Sequence, residues 1–171
     1  NALITGGSRG LGRQCALSLA NEGVNVAICG RTSETLEKTK ADLKTAGAKV
    51  VTIIGDISVN GDAEQIYATA TSELGPIDIL VNNVGGTRSR EDISGTNLDD
   101  FRGTFDINLF GGYELMTLVI PHMQKQSWGR IVNIASIWGR EYGGNISYMS
   151  AKAALIGATK HAAVTLGKHG I

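Results

Sequence analysis

The chain has few of the residues that would staple it, kink it or give it a net charge. Cys15 and Cys29 are the only cysteines in 171 residues, and their spacing suits neither a metal site nor a redox pair. Two unbridged thiols of this kind are expected to be buried in a protein of the reducing cytoplasm. Only two prolines accompany 23 glycines, which excludes a disordered low-complexity segment. Sixteen basic side chains balance sixteen acidic ones, so nothing favours bulk attraction to nucleic acid or to an anionic membrane. No apolar run is long enough to span a bilayer, and no basic segment leading into an apolar stretch opens the chain. No metal ligand set is expected.

What is there reads as one ordinary core. Hydrophobic residues make up 42% and charged residues 19%, over a length that suits a single domain, 1–171. Apolar runs at 2–5, 24–29, 50–54, 77–81 and 130–135 predict strands. Helical spacing predicts helices at 11–22, 33–46, 60–74 and 146–168, with Thr32 or Ser33 capping the second. Residues 98–126 form a long helical tract, expected to bend or break near Asn108 and Gly111-Gly112, after a polar loop at 88–97. Strands that alternate with helices and are apolar throughout point to the α/β class. The expected fold is a Rossmann-like, doubly wound parallel sheet with helices on both faces.

Between the first strand and the first helix lies Thr5-Gly6-Gly7-Ser8-Arg9-Gly10-Leu11-Gly12. A glycine-rich turn that opens a helix aims backbone N–H groups and the helix dipole at a pyrophosphate. The spacing is not G-x-G-x-x-G, and a tight strand-to-helix turn would also call for glycine. An NAD site would place a carboxylate at the end of the second strand, where this chain has Cys29-Gly30-Arg31. A guanidinium there, with Arg9 as a second cation, suits the 2′-phosphate of NADP(H); a solvated residue ahead of a helix is the plainer alternative. Asp56-Ile57 closes the third strand, where an adenine would sit. Asn82-Asn83-Val84-Gly85 closes the fourth, and its asparagines either tie strands together or line the cofactor.

Tyr148 and Lys152 are four residues apart, so a helix puts them on one face. At ~4 Å and an effective dielectric of ~20, an ammonium would stabilise a phenolate by roughly 4 kcal/mol. That is enough to bring a tyrosine from a pKa of ~10 towards neutrality, where it can exchange a proton with a carbonyl or alcohol oxygen. Taken alone, a tyrosine four residues before a lysine is usually a solvated surface pair. Ser136 lies twelve residues before the tyrosine, and Trp138, Arg140, Glu141 and Tyr142 fall between them. The arginine suits an anionic or acyl-carrier substrate, and the aromatics suit a ring or sugar face; all four also suit packing or surface roles.

Thr5-Gly6-x-x-x-Gly10-x-Gly12, Asp56-Ile57, Asn82-Asn83-Val84-Gly85, Asn108, Ser136 and Tyr148-x-x-x-Lys152 occur in one order over nearly the whole chain. As a set they resemble the short-chain dehydrogenase/reductase family, nearest to its 3-oxoacyl-carrier-protein reductase-like branch. The resemblance implies Tyr148 as acid/base, Ser136 on the substrate oxygen, Lys152 on the nicotinamide ribose and Asn108 anchoring a proton-relay water. It implies that Gly6, Ser8, Arg9, Gly10, Leu11 and Gly12 carry the pyrophosphate. Arg31, Asp56, Ile57, Asn83, Gly85, Tyr148 and Lys152 would complete the cofactor site. The implied activity is hydride transfer between NADP(H), rather than NAD, and a small carbonyl or alcohol compound, with acyl-carrier-linked, polyol and sugar substrates open.

Val84 departs from the family, which usually has alanine there. Family members also continue past the Tyr-Lys helix into a further strand, a substrate-covering segment and a last strand, so the sequence is expected to be a fragment. A non-catalytic nucleotide-binding or assembly module is the rival reading. Retention of Asn108, Ser136, Tyr148 and Lys152 together weighs against it. The helices at 98–126 and 146–168 match those the family uses to form homodimers and homotetramers. Leu109, Leu115, Leu118, Ala154, Leu155, Ala158 and Ala162 could equally be internal core.

Overall fold

The computed structural model describes all residues from Asn1 to Ile171. Five strands form one parallel sheet: β1 (Ala2–Thr5), β2 (Val26–Gly30), β3 (Val50–Ile54), β4 (Ile79–Asn82) and β5 (Arg130–Asn133). Their order is β3-β2-β1-β4-β5, so the chain reverses its direction of travel across the sheet between β1 and β4. In open α/β sheets a ligand crevice lies outside the carboxyl ends of the strands at that reversal. The predicted sheet class is the observed one.

Helices α1 (Gly10–Asn21) and α2 (Ser33–Thr45) cover one face, where Ala16, Ala20, Leu36 and Leu43 pack on Ala2, Ile4, Val26 and Ile28. Helices α3 (Asp62–Leu74) and α5 (Gly111–Gln126) cover the other, with Ile66, Ala70, Leu115, Val119 and Met123 against Leu3, Ala27 and Leu80. Successive residues of β1 therefore point to opposite cores, and all four are buried, as a parallel strand covered on both sides requires. Leu115 and Leu155 are buried within the chain, and Leu118 and Ala162 pack against one of the two cores. The edge strand β5 differs: Val132 is 46% exposed.

The long helical tract is interrupted at Asn108, as expected. Helix α4 (Leu98–Phe105) passes into a single wide turn at Asp106–Phe110, where the Gly111 N–H reaches back five residues to Asp106 O. Helix α5 then runs on past Pro121 to Gln126. Gly111 and Gly112 do not make the break; they allow close approach. A Cβ on Gly111 would collide with the Ile57 carbonyl, and one on Gly112 would meet Asn82 at 3.2 Å. The glycines press α5 onto the ends of β3 and β4. The wide turn instead presents Asn108, and such turns recur at functional sites.

The last helix, α6 (Ile146–Leu166), carries Tyr148 and Lys152. Asn145 caps it, accepting from the Tyr148 N–H at 2.8 Å. None of the helices is long and apolar enough to cross a membrane.

Candidate active site

A cleft of about 900 Å³ opens at the carboxyl ends of the strands. Gly6, Ser8, Arg9 and Gly10 line it after β1, Cys29 to Thr32 after β2, Gly55 to Ser58 after β3, and Asn83 to Arg88 after β4. Gly6 and Gly10 sit at φ +62° and +55°, the left-handed region, so the turn needs glycine for its backbone shape. Gly12 serves packing: a Cβ there would lie 2.5 Å from Gly6 O and from Asn83 Nδ2. The predicted loop residues thus divide. Gly6, Ser8, Arg9 and Gly10 face the cleft, Gly12 holds α1 against the loop, and Leu11 is 55% exposed outside the lining.

The two asparagines after β4 also divide. Asn82 is wholly structural, donating to Gly112 O at 3.0 Å and to Asn133 Oδ1 at 2.9 Å. Asn133 passes the link on to Thr159 Oγ1 at 2.9 Å, joining α5, β4, β5 and α6 in one polar chain. Asn83 both lines the cleft and ties it, donating to Thr5 O at 2.9 Å and Gly6 O at 3.3 Å. Thr5 Oγ1 returns the link by accepting from the N–H groups of Asn83 and Val84. The glycine turn is therefore strapped to the neighbouring strand end.

Arg31 is 71% exposed at the rim, and its only anionic contact is Asp56 at 3.7 Å. Burial raises the Asp56 pKa, but hydrogen bonds from the Ser58 hydroxyl and N–H, with Arg31 and Arg88 nearby, lower it further. Asp56 therefore stays ionised below the usual carboxylate range, holding Arg31 loosely over the mouth. Cys29 lies on the cleft floor, with burial pushing its thiol up to about 12, so it is inert packing. Thr32, expected only as a helix cap, also reaches the lining, as do Thr35, Thr87, Arg88 and Asp100, which belong to no sequence motif.

The residues expected to do acid/base work lie behind the cleft lining, where Gly85 separates Asn108 and Lys152 from it. Lys152 is 2% exposed and donates to Ile134 O at 2.7 Å. Burial alone pushes its ammonium down to about 8, since no carboxylate faces it. The Nζ lies 5.7 Å from the centroid of the Tyr148 ring, within cation–π range. Asn108 donates to Gly86 O at 2.6 Å and Thr104 O at 2.7 Å, and accepts from the Gly86 N–H at 3.2 Å. A Cβ on Gly85 would meet Asn108 Oδ1 and Lys152 Nζ, each at 3.1 Å, so Gly85 lets these two groups close on the cleft. Ser136 Oγ accepts from the Trp138 N–H at 3.2 Å, which leaves its own proton free to donate. Trp138 stands edge-on to Tyr148, with ring centroids 6.2 Å apart. Gly143 and Gly144 pack on the indole where side chains would not fit.

Fold and cleft define an open, parallel α/β protein with a crevice at the carboxyl ends of its strands. Comparison with known proteins narrows this. The sequence profile described as short chain dehydrogenase matches residues 1–171. The 3-oxoacyl-[acyl-carrier-protein] reductase FabG of Staphylococcus epidermidis is 34% identical over 173 residues, covering 100% of this chain and 70% of that protein. The crystal structure of YwfH, an NADPH-dependent reductase of bacilysin biosynthesis, superposes with a TM-score of 0.91 at 29% identity, covering 98% of this chain and 67% of that one. NAD⁺-bound xylitol dehydrogenase superposes equally well, at 0.91 and 30% identity over 99% of this chain and 66% of that one. The chain belongs to the short-chain dehydrogenase family and shares its oxidoreductase fold. It spans 64% of the length of one curated relative and 70% of another.

Proposed function

We propose that the chain is the cofactor-binding and acid/base portion of an NADP(H)-dependent oxidoreductase that interconverts a carbonyl and an alcohol. One observation carries the reading: the Lys152 ammonium is buried without a carboxylate beside the Tyr148 ring, packed against Gly85 of a nucleotide-sized cleft. A buried unpaired charge costs several kcal/mol, and such costs cluster at functional sites.

The cleft fits the cofactor. The turn at Gly6, Ser8, Arg9 and Gly10, set in place by Gly12, would take the pyrophosphate. Arg9 and Arg31 would take the 2′-phosphate, Asp56 and Ile57 the adenine side, and Asn83 and Gly85 the middle. Tyr148 and Lys152 would border the nicotinamide ribose. When bound, the nicotinamide supplies the hydride. The chain supplies the rest: the Ser136 and Tyr148 hydroxyls donate to the substrate oxygen as negative charge develops on it. Lys152 places a positive charge beside the Tyr148 ring, 5.7 Å from its centroid. Asn108 fixes Gly86, and with it the segment that backs Lys152.

The preference for NADP(H) over NAD rests on two arginines at the mouth and no carboxylate at the end of β2. For the substrate, similarity to a 3-oxoacyl-carrier-protein reductase supports an acyl-carrier-linked 3-oxo compound. The indole of Trp138 edge-on to Tyr148 supports a second reading, a cyclic ketone or polyol packed flat on that wall. Exposed Phe110 on the wide turn, Tyr113 on α5 and Val164 on α6 support a homodimer or homotetramer. Two free thiols, one fully buried, support a cytoplasmic location.

The test uses the full-length natural protein with NADPH and three probes: a 3-oxoacyl thioester, a cyclic dione and a ketose. Tyr148→Phe should lower turnover of the best probe by roughly 100- to 10,000-fold with NADPH affinity unchanged. Retained turnover removes Tyr148 from the acid role.

A further inference from the structure

We propose that Asn145 is a positioning residue for Tyr148, coupling the acid/base tyrosine to the cleft-lining segment that follows β4. This rests on the assignment of Tyr148 as acid/base. The side-chain oxygen of Asn145 accepts from the Tyr148 N–H at 2.8 Å and from Ser147 Oγ at 3.1 Å. Its nitrogen donates to Thr87 Oγ1 at 2.8 Å and to the Ser89 carbonyl. A primary amide has two donor hydrogens and two acceptor lone pairs, and all four are used here. The orientation is forced by the partners. A backbone N–H only donates and a backbone carbonyl only accepts, so a rotated amide would break both contacts.

An ordinary helix cap needs only the oxygen. The two bonds from the nitrogen cross 58 and 56 residues of chain to reach the loop after β4. That same loop is held at its other end by the same catalytic cluster. Gly85 packs between Asn108 and Lys152, and Gly86 exchanges hydrogen bonds with Asn108. Residues 85–89 are therefore pinned beside Lys152 at one end and at Asn145 at the other, and Tyr148 lies between those two in sequence. Thr87, in the middle, lines the cleft. Whatever orders Thr87 therefore acts on the backbone N–H of Tyr148 through one amide.

The experiment separates cap from coupling, again in the full-length protein with NADPH and the fastest of the three probes. Asn145→Ser keeps an oxygen that can cap α6 but is too short to reach Thr87 and Ser89. Its melting temperature should match wild type, its KM for NADPH should stay within twofold, and its kcat should fall about tenfold or more. Thr87→Val, which leaves the cap intact, should lower kcat in the same direction. The double variant should lower it no further than Asn145→Ser alone. Wild-type kcat in Asn145→Ser, or full additivity with Thr87→Val, reduces Asn145 to a helix cap and overturns the proposal. Tyr148→Phe in parallel keeps the two readings apart: if it retains turnover, the acid assignment fails whatever Asn145 does.

Discussion

The two ends of the cleft are built by different means. The end under β1 and β2 is shaped by backbone: Gly6 and Gly10 in left-handed conformations, and Gly12 pressed on Gly6 O. The end under β4 and α6 is shaped by side chains that bridge distant segments: Asn108 to Gly86 and Asn145 to Ser89. A phosphate is bound by N–H groups and charge, which a local turn can supply by itself. A proton transfer needs groups within hydrogen-bond reach of one atom, and no single segment provides them. The contrast is between an end set by shape and an end set by cross-links, which matches the proposed phosphate-binding and proton-transfer roles.

Substitutions at each end should separate the two. The largest effect is expected for Gly12→Ala, where the new Cβ falls 2.5 Å from Gly6 O and Asn83 Nδ2. Overpacking of this kind costs about 1–3 kcal/mol, and displacing the turn should abolish NADPH binding measured by fluorescence titration. Unchanged affinity would mean that the turn's shape is not what holds the phosphate. Arg31→Asp acts at the same end through charge alone. It should lower the NADPH-to-NADH affinity ratio roughly 10- to 100-fold, as expected for a lost charged hydrogen bond. Equal affinities for both cofactors in the wild type would remove Arg31 from the phosphate site.

At the reacting end, Lys152→Met should raise the stability of the cofactor-free protein by roughly 2 kcal/mol while abolishing turnover, since it removes a buried ammonium with no carboxylate partner. The gain carries a pH signature. Lys152 loses its proton near pH 8 when folded and near 10.5 when unfolded, so the unfolded state binds more protons in between. Wild-type stability therefore gains from this group as pH rises from about 8 to 10.5. The advantage of Lys152→Met should be largest below pH 8 and shrink through that window in denaturant titrations. A constant difference would mean that the ammonium is not buried at a cost.

Much of the molecule was legible because its signals are local. The five strands, the helices between them, the glycine turn, Arg31 at the end of β2 and the Tyr148–Lys152 spacing all sit in short windows where period and residue type report directly. Boundaries moved by one or two residues, as with β2 at Val26–Gly30 and β4 at Ile79–Asn82. Gly111 and Gly112 were harder to place, because a glycine that kinks a helix and one that lets it approach a strand look alike in sequence. Asn145 was not singled out, although an asparagine three residues before Tyr148 at a helix start carries the signal of a cap.

By itself, then, the sequence determined the α/β alternation, the family and the residue types at each end of the cleft. Tertiary structure alone decided which polar groups were already spent and which remained available. Asn82 spends its amide hydrogens in a chain running to Thr159 while its buried oxygen has no partner, and Asn83 is spent in strapping the turn. The reason is physical: hydrogen-bonding capacity belongs to a residue, but its allocation depends on partners 50 or more residues away, which only the folded sheet brings within 3 Å.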